Sequence, residues 1–329
     1  MLFKRLHNNS LITVIITPIL IVLLWLRLFV SELSSNTVIN NPAMPLWSNY
    51  LEPWFGTTQF TAALTSLILV VLSGLALNKI VNKNMLLLSQ SMITMFIFSL
   101  LISAYLSVQK LNPQLFFLFI MIHSIGRLLG DVNNRKIELR HFFDSAFLLG
   151  IGTLIYLKGA FFYPALIIVM GILRVLNLRT LMVSIVGFLL PYFLSFTYLF
   201  YTDQLLWFLS EMHDNILANP GEYNHTIYSQ IFMGVIIFFI ALSLISKMRR
   251  LGIRKINVRL YFRIFIWLLL YTTALVLTSF FSIEILPMAV IGASVLLASF
   301  FENIERRFLR ELFFIMLVAL SIVGQFLLI

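Results

Sequence analysis

The sequence contains no cysteine. Disulfide frameworks, thiolate metal sites and cysteine nucleophiles are therefore excluded. Charged residues are also scarce, because they make up 11% of the chain against about 25% in soluble domains. With 60% hydrophobic residues and a mean hydropathy of +0.99, the chain has more apolar surface than a soluble core of this size can bury. This composition predicts an all-α, polytopic membrane protein.

Several sequence signals of soluble enzymes are missing as well. The chain has no phosphate-binding glycine loop, no dinucleotide fingerprint and no Gly-x-Ser-x-Gly element. Its five histidines are scattered and show no spacing typical of metal ligands. We therefore expect no cofactor and no metal ion. The net charge of +10 comes from basic residues in short loops, which indicates membrane lipids as partners and argues against nucleic acid.

Eleven apolar runs follow one another along the chain, separated by short polar segments. Because backbone groups in hydrocarbon must be hydrogen-bonded internally, each run is predicted to be a helix. The runs cover residues 11–30, 59–80, 91–106, 113–129, 142–157, 160–176, 181–201, 228–245, 264–281, 287–301 and 312–329. Together they predict a transmembrane helix bundle of about eleven spans, forming a single integral membrane domain over residues 1–329.

The basic residues predict the orientation of these spans, because Lys and Arg accumulate in short cytoplasmic loops. With the N-terminus in the cytoplasm, 20 of the 23 basic residues fall on the cytoplasmic side. The exceptions are Arg27, Lys110 and Lys158. Since eleven is odd, the C-terminus is predicted outside. The first run has full spanning length and no cleavage site, so we expect it to remain as a span in a bacterial inner membrane.

Three loops are long enough to have roles of their own. The outer loop 31–58 is rich in aromatic residues, which suits a short helix in the membrane interface. The outer loop 202–227 is polar and acidic, whereas the cytoplasmic loop 247–263 is strongly basic and is expected to attract anionic headgroups. A tight turn at Lys158 leaves two alternatives for residues 142–176, namely two spans or a re-entrant hairpin.

Ionisable residues near the ends of the runs are the candidate site residues, because a charge in a bilayer is normally paired or functional. Asp144 follows Arg140 by one helical turn, and a simple ion pair explains both. Arg27 also has a structural interpretation, as a snorkelling side chain paired with Glu32. In the functional interpretation, Arg27 binds a phosphate at the outer face while Glu32 or Glu52 acts as a catalytic base.

Lys158 lies in the most distinctive segment, residues 150–166, where one run closes on a Lys-Gly turn and the next begins with Tyr-Pro. In the structural interpretation, Lys158 is an interfacial anchor and Gly159 is the turn residue. In the functional interpretation, Lys158 is a lone cation on an acidic outer face, suited to binding a diphosphate or a carboxylate.

From end to end, the chain resembles a family of multi-pass inner-membrane proteins of Bacteroidota, a domain-of-unknown-function family. The resemblance rests on segments 2–6 (LFKRL), 77–85 (LNKIVNKNM), 143–147 (FDSAF), 163–166 (YPAL), 176–179 (LNLR) and 187–192 (GFLLPY). It covers nearly the whole chain in order. It brings no established activity.

Residues 147–190 also resemble the middle helices of GT-C-type glycosyltransferases, which have a catalytic acid in the first outer loop. The resemblance implies a polyprenyl-linked substrate, and it leaves two alternatives: either the catalytic acid is Glu32, or the scaffold has lost catalysis. The loop departs from the family pattern, since it has isolated Glu32 and Glu52 in place of paired acidic residues. Three function classes remain: a polyprenyl-phosphate-dependent glycosyltransferase, a non-catalytic subunit of an envelope assembly with protein partners and, ranked lower, a transporter.

Overall fold

The computed structural model describes residues 11–30, 46–131, 138–217, 227–250, 256–278, 281 and 283–327. Within these ranges the chain is helical and contains no β-strand. Seven of its helices are long and apolar enough to cross a membrane. This confirms the prediction of an all-α protein with several helices that are able to cross a membrane.

Fourteen α-helices lie in the described ranges. They are α1 Leu11–Val30, α2 Glu52–Phe55, α3 Gln59–Lys83, α4 Ile93–Ser103, α5 Leu106–Gln109, α6 Pro113–Asp131, α7 Leu139–Ile155, α8 Tyr163–Ile172, α9 Leu178–Tyr201, α10 Leu205–Leu217, α11 Ile227–Arg250, α12 Ile256–Val276, α13 Leu286–Asn303 and α14 Arg307–Leu327. A π-helical turn, Trp47–Leu51, precedes α2. Two 3-10 helices, Leu157–Phe162 and Ile283–Ile285, precede α8 and α13.

A helix stands at each of the eleven predicted apolar runs, although the lengths differ. The seven helices of full crossing length are α3, α6, α9, α11, α12, α13 and α14. Helix α12 begins at Ile256, eight residues before the predicted start of its run. Helices α4 and α8 are short, with 11 and 10 residues. At about 1.5 Å per residue, α8 is roughly 15 Å long, half the thickness of a hydrocarbon core.

Local side-chain and backbone devices define where several helices begin and end. Thr58 and Asn177 begin α3 and α9 with capping boxes, each closed by a threonine three residues later. Met85, Arg174 and Asp203 follow the ends of α3, α8 and α9 in left-handed conformations. In each case the next residue donates its amide to a carbonyl five residues back, which is the Schellman arrangement that ends a helix abruptly.

Helix α13 forms the centre of the bundle, because 83% of its apolar window is buried inside the protein. It packs against α12, α4, α11 and α6. Close packing depends on small residues along its length. At Gly292, an added Cβ would lie 2.7 Å from the carbonyl oxygen of Phe265 in α12, so no larger residue fits without moving the two backbones apart.

We name the two ends of the bundle after Glu284, which lies just before α13, and Glu302, which lies near the end of α13. At the Glu302 end, the Glu302 carboxylate accepts hydrogen bonds from the backbone amides of Leu88 and Ser89, at 2.7 and 2.8 Å. At the Glu284 end, Tyr105 hydrogen-bonds to Ser229 near the start of α11. The first and last helices also meet, because the Gln325 side chain donates to the carbonyl of Leu24.

Helices α7 and α8 form a hairpin whose turn is the 3-10 helix Leu157–Phe162. Helix α7 runs parallel to α9, with Tyr192 donating to Thr153 at 2.7 Å. Two residues after Thr153 α7 ends, whereas α9 continues for nine residues beyond Tyr192. The difference of about seven residues corresponds to roughly 10 Å. The turn that contains Lys158 is therefore recessed below the end of α9.

Candidate functional site

Lys158 and Glu284 form a buried ion pair at the Glu284 end of the bundle. The Lys158 Nζ lies 2.9 Å from the Glu284 Oε1, and each side chain is only 2% exposed. Lys158 Nζ also lies 5.8 Å from the centre of the Phe281 ring, a distance at which the ring face attracts a cation. Lys158 is thus not the lone surface cation that the sequence indicated, because an acidic residue from a distant part of the chain neutralises it.

The backbone around Lys158 is held by close packing on both sides. An added Cβ at Gly159 would lie 2.5 Å from the ring of Phe117 in α6, so the glycine is needed for this contact. Gly159 lies in the turn, as the structural interpretation predicted, but its φ is not positive, so close packing rather than a left-handed backbone requires the glycine. From the other side, Tyr271 of α12 donates a hydrogen bond to the carbonyl of Phe161. The ammonium is therefore fixed between α6 and α12.

Two more polar side chains lie at this end and have no hydrogen-bond partner among the residues that the structure describes. They are Gln114, whose amide nitrogen and oxygen are both buried, and Tyr156, whose hydroxyl is buried. Tyr156 is close enough to Glu284 to interact electrostatically with its carboxylate. A buried polar group without a partner costs about 1–3 kcal/mol, and such groups in a native fold often mark a water or ligand site.

A small cavity lies between Gln114 and Glu284. It is lined by Gln114, Glu284, Asn112, Val108, Leu115 and Pro287, and it has room for roughly one water molecule. Gln114 and Glu284 thus face a common space. In chemical terms, the arrangement offers ammonium, amide and hydroxyl donors around one carboxylate.

The structure places Arg27 at the same end of the bundle but at a different position. The Trp25 indole donates to Ser66 near the start of α3, which fixes this part of α1 at the Glu284 end. The Arg27 guanidinium carbon lies 4.4 Å from the centre of the Phe326 ring in α14. Arg27 thus lies between the first and last helices, whereas Lys158 lies between α6 and α12.

Of the two candidate catalytic acids, Glu52 lies within the described residues. Glu52 is exposed in the first turn of α2. The loop around it packs on α6 through Trp47 and Phe55, which both contact the ring of Phe116. Glu52 therefore lies above the first turns of α6, which also carry Gln114. Glu32 lies outside the described residues.

Sequence reasoning missed Glu284, Gln114 and Tyr156. A usable signal for Glu284 was present, because it is an isolated acidic residue between the apolar runs 264–281 and 287–301. A single acidic residue between two apolar runs is as unusual as the lone Lys158, and the same reasoning marks it as a candidate site residue. Gln114 and Tyr156 gave no comparable signal, since uncharged polar residues are common in membrane helices.

The remaining ionisable candidates have structural explanations. Arg140 Nε and Asp144 Oδ2 are 3.7 Å apart on one face of α7, and Arg140 is largely exposed, as the ion-pair interpretation predicted. Among the residues that the structure describes, no group of three or more His, Asp or Glu side chains is arranged to hold a metal ion.

The fold and the buried pair define the class of this protein as a helical, membrane-embedded protein with a polar site inside one end of the bundle. Comparisons with protein-family models, curated proteins and solved structures give no match for this chain. Its function is therefore inferred from the site.

Proposed function

We propose that the chain crosses the bacterial inner membrane eleven times, with a cytoplasmic N-terminus, and handles a polyprenyl-phosphate-linked sugar substrate at the outer face. In this proposal it belongs to the Bacteroidota family that it resembles. The observation that carries the proposal is the buried Lys158–Glu284 pair, because a charge placed inside a membrane bundle is normally functional. Lys158 binds the phosphate of the substrate.

The charge distribution supports the orientation. Lys83 lies at the end of α3, and Arg179 and Arg307 lie at the starts of α9 and α14. These termini gather at the Glu302 end, where the residues that follow α3 contact the end of α13. Because basic residues mark the cytoplasmic side, the Glu302 end is cytoplasmic. Lys158, Glu52 and Arg27 then belong to the outer face.

A second candidate function is a non-catalytic subunit of an envelope assembly. One observation favours it: the Glu284 carboxylate is paired with the Lys158 ammonium, and each side chain is only 2% exposed, so the ammonium is not accessible to a substrate. In this second proposal a protein partner docks on helix α10, which contacts the 3-10 turn of Lys158 and carries the exposed side chains Leu206, at 83%, and Trp207, at 41%. A transporter remains third, since no pair of matched broken helices accompanies the site within the described residues.

A binding experiment separates the two leading candidates. The full-length protein in detergent is titrated with undecaprenyl phosphate and, as a matched control, with undecaprenol, which has the same chain and no phosphate. We expect preference for the phosphate in the wild type. We expect loss of that preference in the double variant Lys158→Met/Glu284→Leu, which removes both charges together.

The Arg140–Asp144 pair, in which Arg140 is exposed and Asp144 partly buried, supplies the control variant, Arg140→Met/Asp144→Leu, which should keep the preference. Phosphate binding that persists in the Lys158/Glu284 double variant would come from another basic region, such as 247–263, and would overturn the proposed site. Equal or absent binding of both lipids to the wild type would leave the assembly subunit as the better account.

A further inference from the structure

We propose that Lys158, Tyr156 and Gln114 form a latent binding site for a phosphate monoester group, and that the Glu284 carboxylate occupies this site as a tethered substitute for the ligand. The inference deepens the proposed function and rests on it for the lipid-linked source of the phosphate. It adds the donor set, the chemistry of the resident anion and the step that opens the site.

The first argument is the mismatch between donors and acceptors. Lys158 Nζ donates to Glu284 Oε1. The Gln114 amide and the Tyr156 hydroxyl are buried nearby and have no hydrogen-bond partner in the described part of the chain. A carboxylate has two oxygens, whereas a phosphate monoester offers three terminal oxygens and up to two negative charges. From its tethered position the Glu284 carboxylate pairs with Lys158 but leaves the Gln114 amide and the Tyr156 hydroxyl unsatisfied. A larger anion bound at Lys158 would present oxygens to all three side chains.

The second argument is the position of Glu284. It lies in a three-residue 3-10 helix, Ile283–Ile285, directly before the buried helix α13. Its carboxylate faces the small cavity together with Gln114. Displacement of this short segment would withdraw one carboxylate without moving α13, and the vacated volume would join the existing cavity.

The third argument is charge balance. Lys158 and Glu284 neutralise each other, so the closed site carries no net charge and is stable without ligand. When Glu284 withdraws, the buried ammonium requires another anion, because an unpaired charge inside the bundle is costly. Opening is therefore coupled to the arrival of an anion. Glu284 therefore competes with the ligand anion for Lys158. Because both residues belong to one chain, the effective concentration of the Glu284 carboxylate is set by the segment that holds it.

The test uses the full-length Glu284→Gln variant, which keeps the size of the side chain and removes its negative charge. We expect inorganic phosphate to raise the melting temperature of Glu284→Gln and to leave that of the wild type unchanged. Its affinity for dodecyl phosphate should exceed that of the wild type by at least about tenfold, because no internal competitor has to be displaced. Dodecanol should bind both proteins equally.

Two controls define what belongs to the site. Glu302→Gln changes a carboxylate at the opposite end of α13 and should leave the phosphate response at the wild-type level. Lys158→Gln/Glu284→Gln removes both charges and should abolish the response. If folded Glu284→Gln shows no response to either phosphate probe, or if the double variant responds equally, the latent site does not exist.

A second pair of variants keeps the inference testable if Glu284→Gln fails to fold. Tyr156→Phe and Gln114→Leu leave the ion pair intact and remove donors that have no partner in the closed state. We expect both to melt at or above the wild-type temperature and to bind undecaprenyl phosphate several-fold more weakly. Unchanged binding in both would contradict the donor set.

The outcomes separate this inference from the proposed function. If wild type and Glu284→Gln bind undecaprenyl phosphate with equal affinity, the competitor role is wrong and the proposed function stands. If Glu284→Gln binds inorganic phosphate but no protein prefers undecaprenyl phosphate over undecaprenol, the latent site stands. The proposed lipid-linked substrate is then wrong, and free phosphate compounds are the ligands.

Discussion

Lys158 and Glu284 carry opposite charges into a part of the protein from which water is excluded. Removing two ions from water costs several kcal/mol each, and their attraction repays this only when the geometry is favourable. The contact of 2.9 Å and the nearby Phe281 ring provide such geometry. The pair is therefore weak evidence for extra stability but strong evidence that neither partner can be removed alone.

This asymmetry gives a prediction for single and double substitutions. Lys158→Met leaves the Glu284 carboxylate buried without its cation and should lower the free energy of unfolding by about 3–5 kcal/mol. Lys158→Met/Glu284→Leu should recover most of this loss, because no uncompensated charge remains. Denaturant titration of the detergent-solubilised protein measures both values. A double variant as unstable as Lys158→Met would contradict this prediction, because the unpaired Glu284 carboxylate would then not be the cause of the loss in the single variant.

At the scale of single residues, the sequence predicted Lys158 but none of the three polar groups around it. Lys158 stood out because cations are rare on the predicted outer side, and Asp144 was correctly paired with Arg140 because they lie one turn apart on one helix. The partner of Lys158 is 126 residues away. Local spacing rules have no access to such a contact, since it depends on how the helices pack.

At the scale of helices, α7 and α9 pack through glycines that contact the partner backbone. An added Cβ at Gly150 would lie 2.5 Å from the carbonyl oxygen of Phe188, and one at Gly187 would lie 2.7 Å from that of Phe143. Ser124 and Ser145 join α6 to α7 through reciprocal hydrogen bonds between side chains and carbonyls. Small and hydroxyl-bearing residues thus hold this part of the bundle together.

These contacts predict unequal effects of glycine-to-alanine substitutions. Gly150→Ala and Gly187→Ala should each lower the free energy of unfolding by about 1–3 kcal/mol, because the two backbones must separate. Gly171→Ala is the matched control, since nothing lies within 4 Å of its added Cβ. It should be neutral or slightly stabilising because alanine favours helix. Equal melting temperatures for Gly150→Ala and Gly171→Ala would show that α7 and α9 do not pack closely.

The α7–α8 hairpin shows why the count of spans was harder to predict than the presence of helices. Hydropathy identifies an apolar run, but it does not report how deep the run extends. The turn at Lys158 lies roughly 10 Å below the end of α9 by the register of Thr153 with Tyr192. That depth follows from helix packing, and the sequence left both the re-entrant and the spanning alternatives open.

At the scale of the whole molecule, the absence of native cysteine allows a direct test of topology by single-cysteine labelling in intact cells. Cysteines at exposed Glu52 and Asp214 should react with an impermeant reagent from outside. A cysteine at Met85, which is 67% exposed, should react only after the membrane is permeabilised. Labelling of Met85 and Asp214 from the same side would overturn the eleven-span arrangement.

The positions of helices were the most predictable feature of the whole molecule, because the exclusion of water from a bilayer forces apolar runs into helices. The central position of α13 was less accessible. Its run is no more apolar than those of α3 or α11, yet most of it is buried by protein while α11 is largely exposed. Burial by neighbours and burial by lipid produce similar sequences.

The contacts of α13 and α14 also have a consequence for biogenesis. The segment after α3 receives its Glu302 contact from a residue more than 200 positions later, and Leu24 receives its contact from Gln325. Helices leave the ribosome in order, so the early helices must wait in the bilayer until the central helix is synthesised. During translation, the early helices are therefore inserted before the central helix α13 exists. Until then, their packing surfaces must be covered by lipid or by an insertion chaperone.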